Sequence, residues 1–282
     1  MSAVANSHRK SVYALVRIVR STPIAWGIIR TERELAVSLR GQKMNVLIAC
    51  EESQEVCKAF RADGHRAFSC DIQECSGGHP EWHIQGDCLP LLNGNCAFAT
   101  SDGRIHEQDD RWDLIIAHPP CTYLTVTGNS WFDISKYGDK ARKRYQERYK
   151  AIVFFMHFVL ADCDRIAIEN PIGIMSTAYR SPDQIIQPWQ FALSAEENTV
   201  KSTCLWLKGL PKLKPLHTEQ PPIEYVEWYD ERAGRTKRQA KWYYETRCAS
   251  HKDRARLASK TFPGIAHAMV QWGEPTIFDL SC

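Results

Sequence analysis

NVLIACEESQEVCKAFRADGHRAFSCDI (residues 45–72) is the stretch on which the fold turns. NVLIAC (45–50) is an apolar, partly β-branched run without helical spacing, and it reads as a buried strand. SQEVCKAFRADG (53–64) follows it, with Val56, Cys57 and Phe60 on one helical face and Gly64 as the stop. RAFSCDI (66–72) is a second apolar run, and it closes on an acid. A strand, a helix and another strand in immediate succession is the repeating unit of a parallel sheet.

The same rhythm continues outward. HIQGDCL (83–89), RWDLIIAHPPC (111–121), RIAIENP (165–171) and STCLWLKGL (202–210) read as further strands. A helix is expected from about Lys140 to Asp162, with Tyr145, Tyr149, Ile152, Met156 and Val159 forming its apolar stripe. TFPGIAHAMVQWG (261–273) reads as a helix packed back on the sheet. The fold class is therefore α/β, a doubly wound, mostly parallel sheet. Residues 44–210 form its core and 261–282 return to it. Residues 211–260, rich in Pro, Trp, Tyr and basic side chains, read as a short inserted recognition segment. Residues 1–43 read as a basic appendage.

An apolar content of 44% and a charged content of 24% suit a soluble globule, and no run of 18 apolar residues suggests a membrane span. Eleven cysteines at scattered spacing, with no secretory signal before them, fit a reduced, intracellular protein. The net charge of +3 is unevenly spread: residues 1–43 carry eight Lys or Arg against two Glu. Lys136–Lys150 holds seven basic residues against two acidic, and Arg232–Lys260 ten against two, the latter interleaved with Trp242, Tyr243 and Tyr244. Such stretches suit a nucleic-acid backbone and its bases, and equally a solvated helix face.

The strand ends carry the chemistry. CEES (50–53), Asp71, Asp87, HPPC (118–121) and ENP (169–171) all fall on one rim, the ligand-binding edge of an open α/β sheet. Asp71 and Asp87 suit ribose hydroxyls and an exocyclic amine, or else cap local turns. Prolines 119 and 120 stop the fourth strand and stiffen the turn that presents Cys121. Glu169 ends a wholly apolar run, an odd place for a merely solvating charge. A thiol beside a carboxyl group is a nucleophile with a proton donor or acceptor, given an electropositive, partly open setting.

HPPCTYL, followed some fifty residues later by IENPIG, resembles the Pro-Cys and Glu-Asn motifs of DNA (cytosine-5) methyltransferases. VLIACEESQEV, CSGGHPEWHIQGD, CLWLKGLP and TFPGIAHAM extend that resemblance, from Met44 to about Gly273, to the small members carried by phages and prophages. The resemblance implies the class I S-adenosylmethionine-dependent methyltransferase fold and S-adenosyl-L-methionine as cofactor. It implies duplex DNA with a flipped target base as partner, no metal, a monomer, and a place in restriction–modification. It makes Cys121 the nucleophile and Glu169 the group that meets ring nitrogen 3 and the exocyclic amine. Asp71 falls near the cofactor ribose, Asp87 near its adenine, and Ala49, Cys50, Glu51 and Ser53 around its methionine end. Ile72, His118 and Pro119 also fall on the cofactor. Pro120, Asn170, Lys201 and Thr203 fall on the side of the base, with Asn170 shaping the Pro119–Pro120 loop. Three features depart from the family: ACEES lacks the glycine-rich turn after strand one, Thr199–Thr203 retains one cation, Lys201, where the family has two arginines, and the recognition segment 211–260 is short.

Three other readings remain open at this point. Amino-methylation loops at this strand end carry an aromatic residue where this chain has Cys121. Cys75, His79, His83 and Cys88 form an unusual spacing for zinc. A DNA-binding protein that keeps the fold without turnover needs neither Cys121 nor Glu169.

Overall fold

The chain folds around a strand that is apolar on both faces. In the computed structural model, which describes residues 43–231 and 233–273, that strand is β1 (Asn45–Ala49). The appendage up to residue 42, Arg232, and the tail of the returning segment from residue 274 lie outside the described residues. After β1 come α1 (Glu55–Ala62), β2 (Arg66–Asp71) and β3 (His83–Gln85). A hairpin of β4 (Cys96–Ala99) and β5 (Ile105–Gln108) precedes β6 (Leu114–Ala117), then α2 (Ile134–Tyr137), α3 (Asp139–Leu160) and β7 (Ile166–Pro171). The core continues with α4 (Met175–Ala178), β8 (Gln184–Ile186) and β9 (Thr203–Lys208). A second hairpin, β10 (Tyr225–Asp230) and β11 (Arg235–Ala240), leads to α5 (Lys241–Cys248), α6 (His251–Ser259) and α7 (Pro263–Met269).

Seven strands form one sheet in the order β3-β2-β1-β6-β7-β9-β8. All neighbours are parallel except around β9, which runs against both β7 and β8. This is a mostly parallel, doubly wound α/β sheet. Val46 and Ile48 of β1 pack with Val56, Phe60, Ile265 and Met269 on one face. Leu47 and Ala49 pack on the other with Phe155, Phe158, Ile168 and Trp206. A parallel strand covered by helices on both sides needs such a continuous apolar run, and each large side chain so buried contributes about 1.5–3 kcal/mol. Gly64, at φ +89, closes α1 in the left-handed geometry that glycine adopts without a Cβ penalty.

Four expectations need correction. Tyr145 and Tyr149 are 47% and 69% exposed, so the stripe of α3 is centred instead on Phe155 and Phe158, with Ile152, Met156 and Val159 half-buried beside them. The strand expected over 83–89 stops at Gln85. The two hairpin strands β4 and β5 and the short strand β8 were not expected from the sequence. The helix read over 261–273 is shorter, Pro263–Met269, and residues 211–260, read as an inserted recognition segment, hold a hairpin and two helices. Among the described residues no helix is long and apolar enough to cross a membrane.

Candidate active site

β1 has β2 on one side and β6 on the other, so the chain departs in opposite directions from its carboxyl end. That switch point opens a crevice at the rim. The strands end there on small residues, Ala49 paired with Cys70 and Ala117. The ladder continues one step further, His118 N–H donating to the Ala49 carbonyl at 2.9 Å. Pro119 and Pro120 have no N–H to extend it. Asn170, at the end of β7, donates from Nδ2 to the Pro119 carbonyl at 2.6 Å. The Cys121 carbonyl accepts from Leu124 N and Thr125 N at 2.9 and 3.0 Å, closing a turn on the half-buried thiol.

The register Ala117↔Ile168 brings the next residues of β6 and β7 side by side. His118 Nδ1 lies 3.0 Å from Glu169 Oε2. Glu169 also feels Lys201 and Thr203 from the approach to β9. Lys201 Nζ donates to the Ala258 carbonyl at 2.8 Å and sits 5.7 Å from the Trp242 ring, so the residues after β11 help to place it. The charges of Glu169 and Lys201 both act on Cys121, and that of Lys201 acts on Glu169.

Burial raises the Glu169 carboxyl, but the His118 bond and charge, Lys201 and Thr203 together hold it below its ordinary value. Cys121 differs from the electropositive thiol the chemistry called for. Burial and then the Glu169 charge push it up, and Lys201 opposes them only in part. At neutral pH the group is a thiol. Alkylation of Cys121 by iodoacetamide, followed by peptide mass spectrometry, is expected to stay slow past neutral pH. At fixed pH it is expected to be faster in Glu169→Gln and slower in Lys201→Met, because the anion raises the thiol and the cation lowers it. Rival thiols on the rim are less apt: burial and Glu169 push Cys204 up to about 11, and the hydrogen-bonded Cys88 thiol and burial raise Cys50 well above its ordinary value.

The remaining cofactor candidates line the other half of the crevice. Asp71 Oδ1 accepts from Gln73 N at 2.9 Å and Asp87 Oδ1 from Leu89 N at 3.0 Å, so each caps its own turn with one oxygen. The second oxygen of each remains for a ligand. Ile72, 77% exposed, offers an apolar surface beside them. Glu51 is otherwise engaged: its two oxygens accept from Val56 N at 2.6 Å and Cys57 N at 3.1 Å, capping α1. Ser53 is buried at the start of that helix, and Cys50 takes a left-handed φ of 60°. Small strand ends, a carboxylate at the end of β2, another just past β3 and the exposed Ile72 after β2 fit a nucleoside-bearing cofactor. The metal reading does not fit. His83 engages both ring nitrogens, with Ser69 Oγ and the Gln73 carbonyl at 2.9 Å each, and His79 stacks on Trp82 and pairs with Glu81.

Sequence reasoning missed two arginines. Arg144 Nη2 donates to the Thr122 carbonyl at 3.1 Å. Arg148 Nε donates to the Tyr123 carbonyl at 2.8 Å and its Nη2 to Asn129 Oδ1 at 2.7 Å, while its guanidinium lies 3.4 Å from the Phe132 ring centroid. Both belong to the basic run Lys136–Lys150, and they clamp the segment after Cys121 to α3. Their i,i+4 spacing was the available signal. Much of the second basic run is likewise engaged internally: Lys241 pairs with Glu224 at 2.7 Å, Lys260 with Glu55 at 3.2 Å, and Arg247 lies over Trp228.

No family model matches the chain, and no curated protein matches it. Among solved structures the chain is similar to a Burkholderia thailandensis 1,6-didemethyltoxoflavin-N1-methyltransferase, determined with bound 1,6-didemethyltoxoflavin and S-adenosylhomocysteine. The two are 13% identical over 74% of each chain, with a TM-score of 0.25, a likeness too distant to carry chemistry from one to the other.

Proposed function

We propose that this chain is an S-adenosylmethionine-dependent methyltransferase acting on carbon 5 of cytosine in DNA through a covalent adduct at Cys121. The observation that carries this reading is the pairing of Cys121 and Glu169 on adjacent strand ends at the switch point, with Asn170 tying the intervening proline turn. Asp71, Ile72 and Asp87, with the Ala49–Ser53 turn, would hold the cofactor, which supplies an electrophilic methyl group on its sulfonium.

Carbon 5 of cytosine is a poor nucleophile. Cys121 Sγ, once ionised, adds to carbon 6, and the displaced π electrons move toward carbon 5 and ring nitrogen 3. Glu169 meets nitrogen 3 and the exocyclic amine, so a proton held there neutralises the charge that develops. Carbon 5 then takes the methyl group. Loss of its proton to a base and expulsion of Cys121 restore the aromatic ring. A stacked base cannot reach a thiol at the bottom of a turn, so the target is flipped out of the duplex.

Methyl transfer from labelled S-adenosylmethionine to unmethylated duplex DNA, with the nucleosides identified by mass, tests the reading. The expected product is 5-methyldeoxycytidine. Methylated amino groups instead would move the chemistry to amino-methylation. DNA binding without any product would make the chain a non-catalytic binder.

A further inference from the structure

We infer that His118 is a positioning residue for Glu169: its Nδ1···Oε2 bond aims the carboxyl group, and the pair stores the proton delivered to ring nitrogen 3. The inference rests on the reaction proposed above and gives His118 a role other than contact with the cofactor.

Two buried histidines make the contrast. His83 has partners on both ring nitrogens, as a purely architectural histidine does. His118 has one. Its side chain is 8% exposed, Nδ1 is on Glu169, and Nε2 is buried without a partner. The Glu169 carboxyl group is therefore the one hydrogen-bond partner of the ring among the described residues, and the bond occupies Oε2. The other charged or titratable groups around the pair are Glu51 from the turn after β1, Lys201 from the approach to β9, Cys204 on β9, and Cys121 three residues on.

The pair also answers a difficulty in the proposed chemistry. His118 and Lys201 favour the ionised form of Glu169, yet a bare carboxylate has no proton to give. A ring hydrogen-bonded to that carboxylate supplies one when it carries a second proton. As the Sγ–C6 bond forms, one proton leaves the pair for nitrogen 3, and neutral imidazole and carboxylate remain. When the Sγ–C6 bond breaks, nitrogen 3 returns the proton and the pair is restored.

The test uses the full chain with His118→Asn, in which the amide nitrogen replaces Nδ1 as a donor but holds no transferable proton. Three readouts separate the roles. In ¹³C-glutamate NMR without cofactor, the Glu169 titration midpoint is expected to move up in the variant, since burial remains and one opposing partner is lost. Methyl transfer at neutral pH is expected to fall about 10²-fold, within the range of general acid–base contributions. The deficit is expected to shrink as pH is lowered and Glu169 takes up the proton itself. Binding of S-adenosylhomocysteine is expected to stay within about twofold of wild type, well under the tenfold that about 1.4 kcal/mol represents. An unmoved Glu169 midpoint would overturn the inference, and so would a pH-independent deficit accompanied by lost S-adenosylhomocysteine affinity, which marks a cofactor contact. If wild type makes no product on DNA, the proposed reaction fails, and the NMR titration alone decides whether the pair exists.

Discussion

Cys121→Ser is expected to lower methyl transfer by on the order of 10⁴-fold or more, the loss typical of removing a nucleophile. The reason is local. Cys121 sits on the turn after Pro119–Pro120, held by Asn170 from β7, and the neighbouring thiols Cys50 and Cys204 are held protonated by burial and their own neighbours. A serine hydroxyl fits the same space but is far less acidic, and addition to carbon 6 stops. Folding is expected to be unchanged, because the half-buried side chain loses little volume. Duplexes carrying 5-fluorodeoxycytidine cannot release the carbon-5 substituent as a proton, so wild type should remain bound through a covalent bond that survives denaturing gels. The variant should show no such band while retaining affinity for the duplex. A persisting adduct would place the nucleophile at another cysteine.

The largest expected loss of stability is at Trp206. This side chain is 2% exposed, packs edge-on to Phe155 with ring centroids 5.2 Å apart, and donates from Nε1 to the Arg180 carbonyl at 2.8 Å. It lies on β9 opposite Ile168, one residue before Glu169 on β7. Trp206→Ala is expected to cost about 3–5 kcal/mol, from lost transfer energy and the cavity that remains. For a unit of this size that corresponds to a fall in Tm on the order of 10 °C. Calorimetry or urea unfolding measures it. Trp206→Phe, which keeps a ring and loses the hydrogen bond, is expected to fall by about 1–3 kcal/mol. Equal losses in the two variants would mean that the hydrogen bond, and not the packing, dominates.

The parts of this protein that were legible in advance are those where local chemistry and global position agree. β1, α1 and β2 are apolar on two faces or at helical spacing because both surfaces of a parallel sheet are covered. Cys121 and Glu169 stood out because each ends an apolar strand with a group that apolar burial does not explain. What could not be read depends on pairings between distant segments. Nothing near His118 in the chain announces Glu169; only the β6–β7 register does. The β4–β5 ribbon lies outside the main sheet, its strands half-exposed and joined through Gly103 at φ +85, so it lacks the apolar run of a core strand. The α3 stripe was drawn through tyrosines, whose amphipathic rings satisfy a hydrophobic pattern while remaining at the surface. Basic runs suggested a nucleic-acid surface, although several of their cations bind carbonyls, carboxylates and rings of the chain itself.

The clamp that Arg144 and Arg148 place on Thr122, Tyr123, Asn129 and Phe132 has a thermodynamic consequence. Ordering a residue's backbone opposes association by about 1–2 kcal/mol, and here the segment after Cys121 is held by side chains of the chain itself. Under the proposed function, association with a duplex then carries little loop-folding entropy. Its heat-capacity change should follow the area of the contact alone, without the extra decrement that accompanies a segment folding onto its ligand.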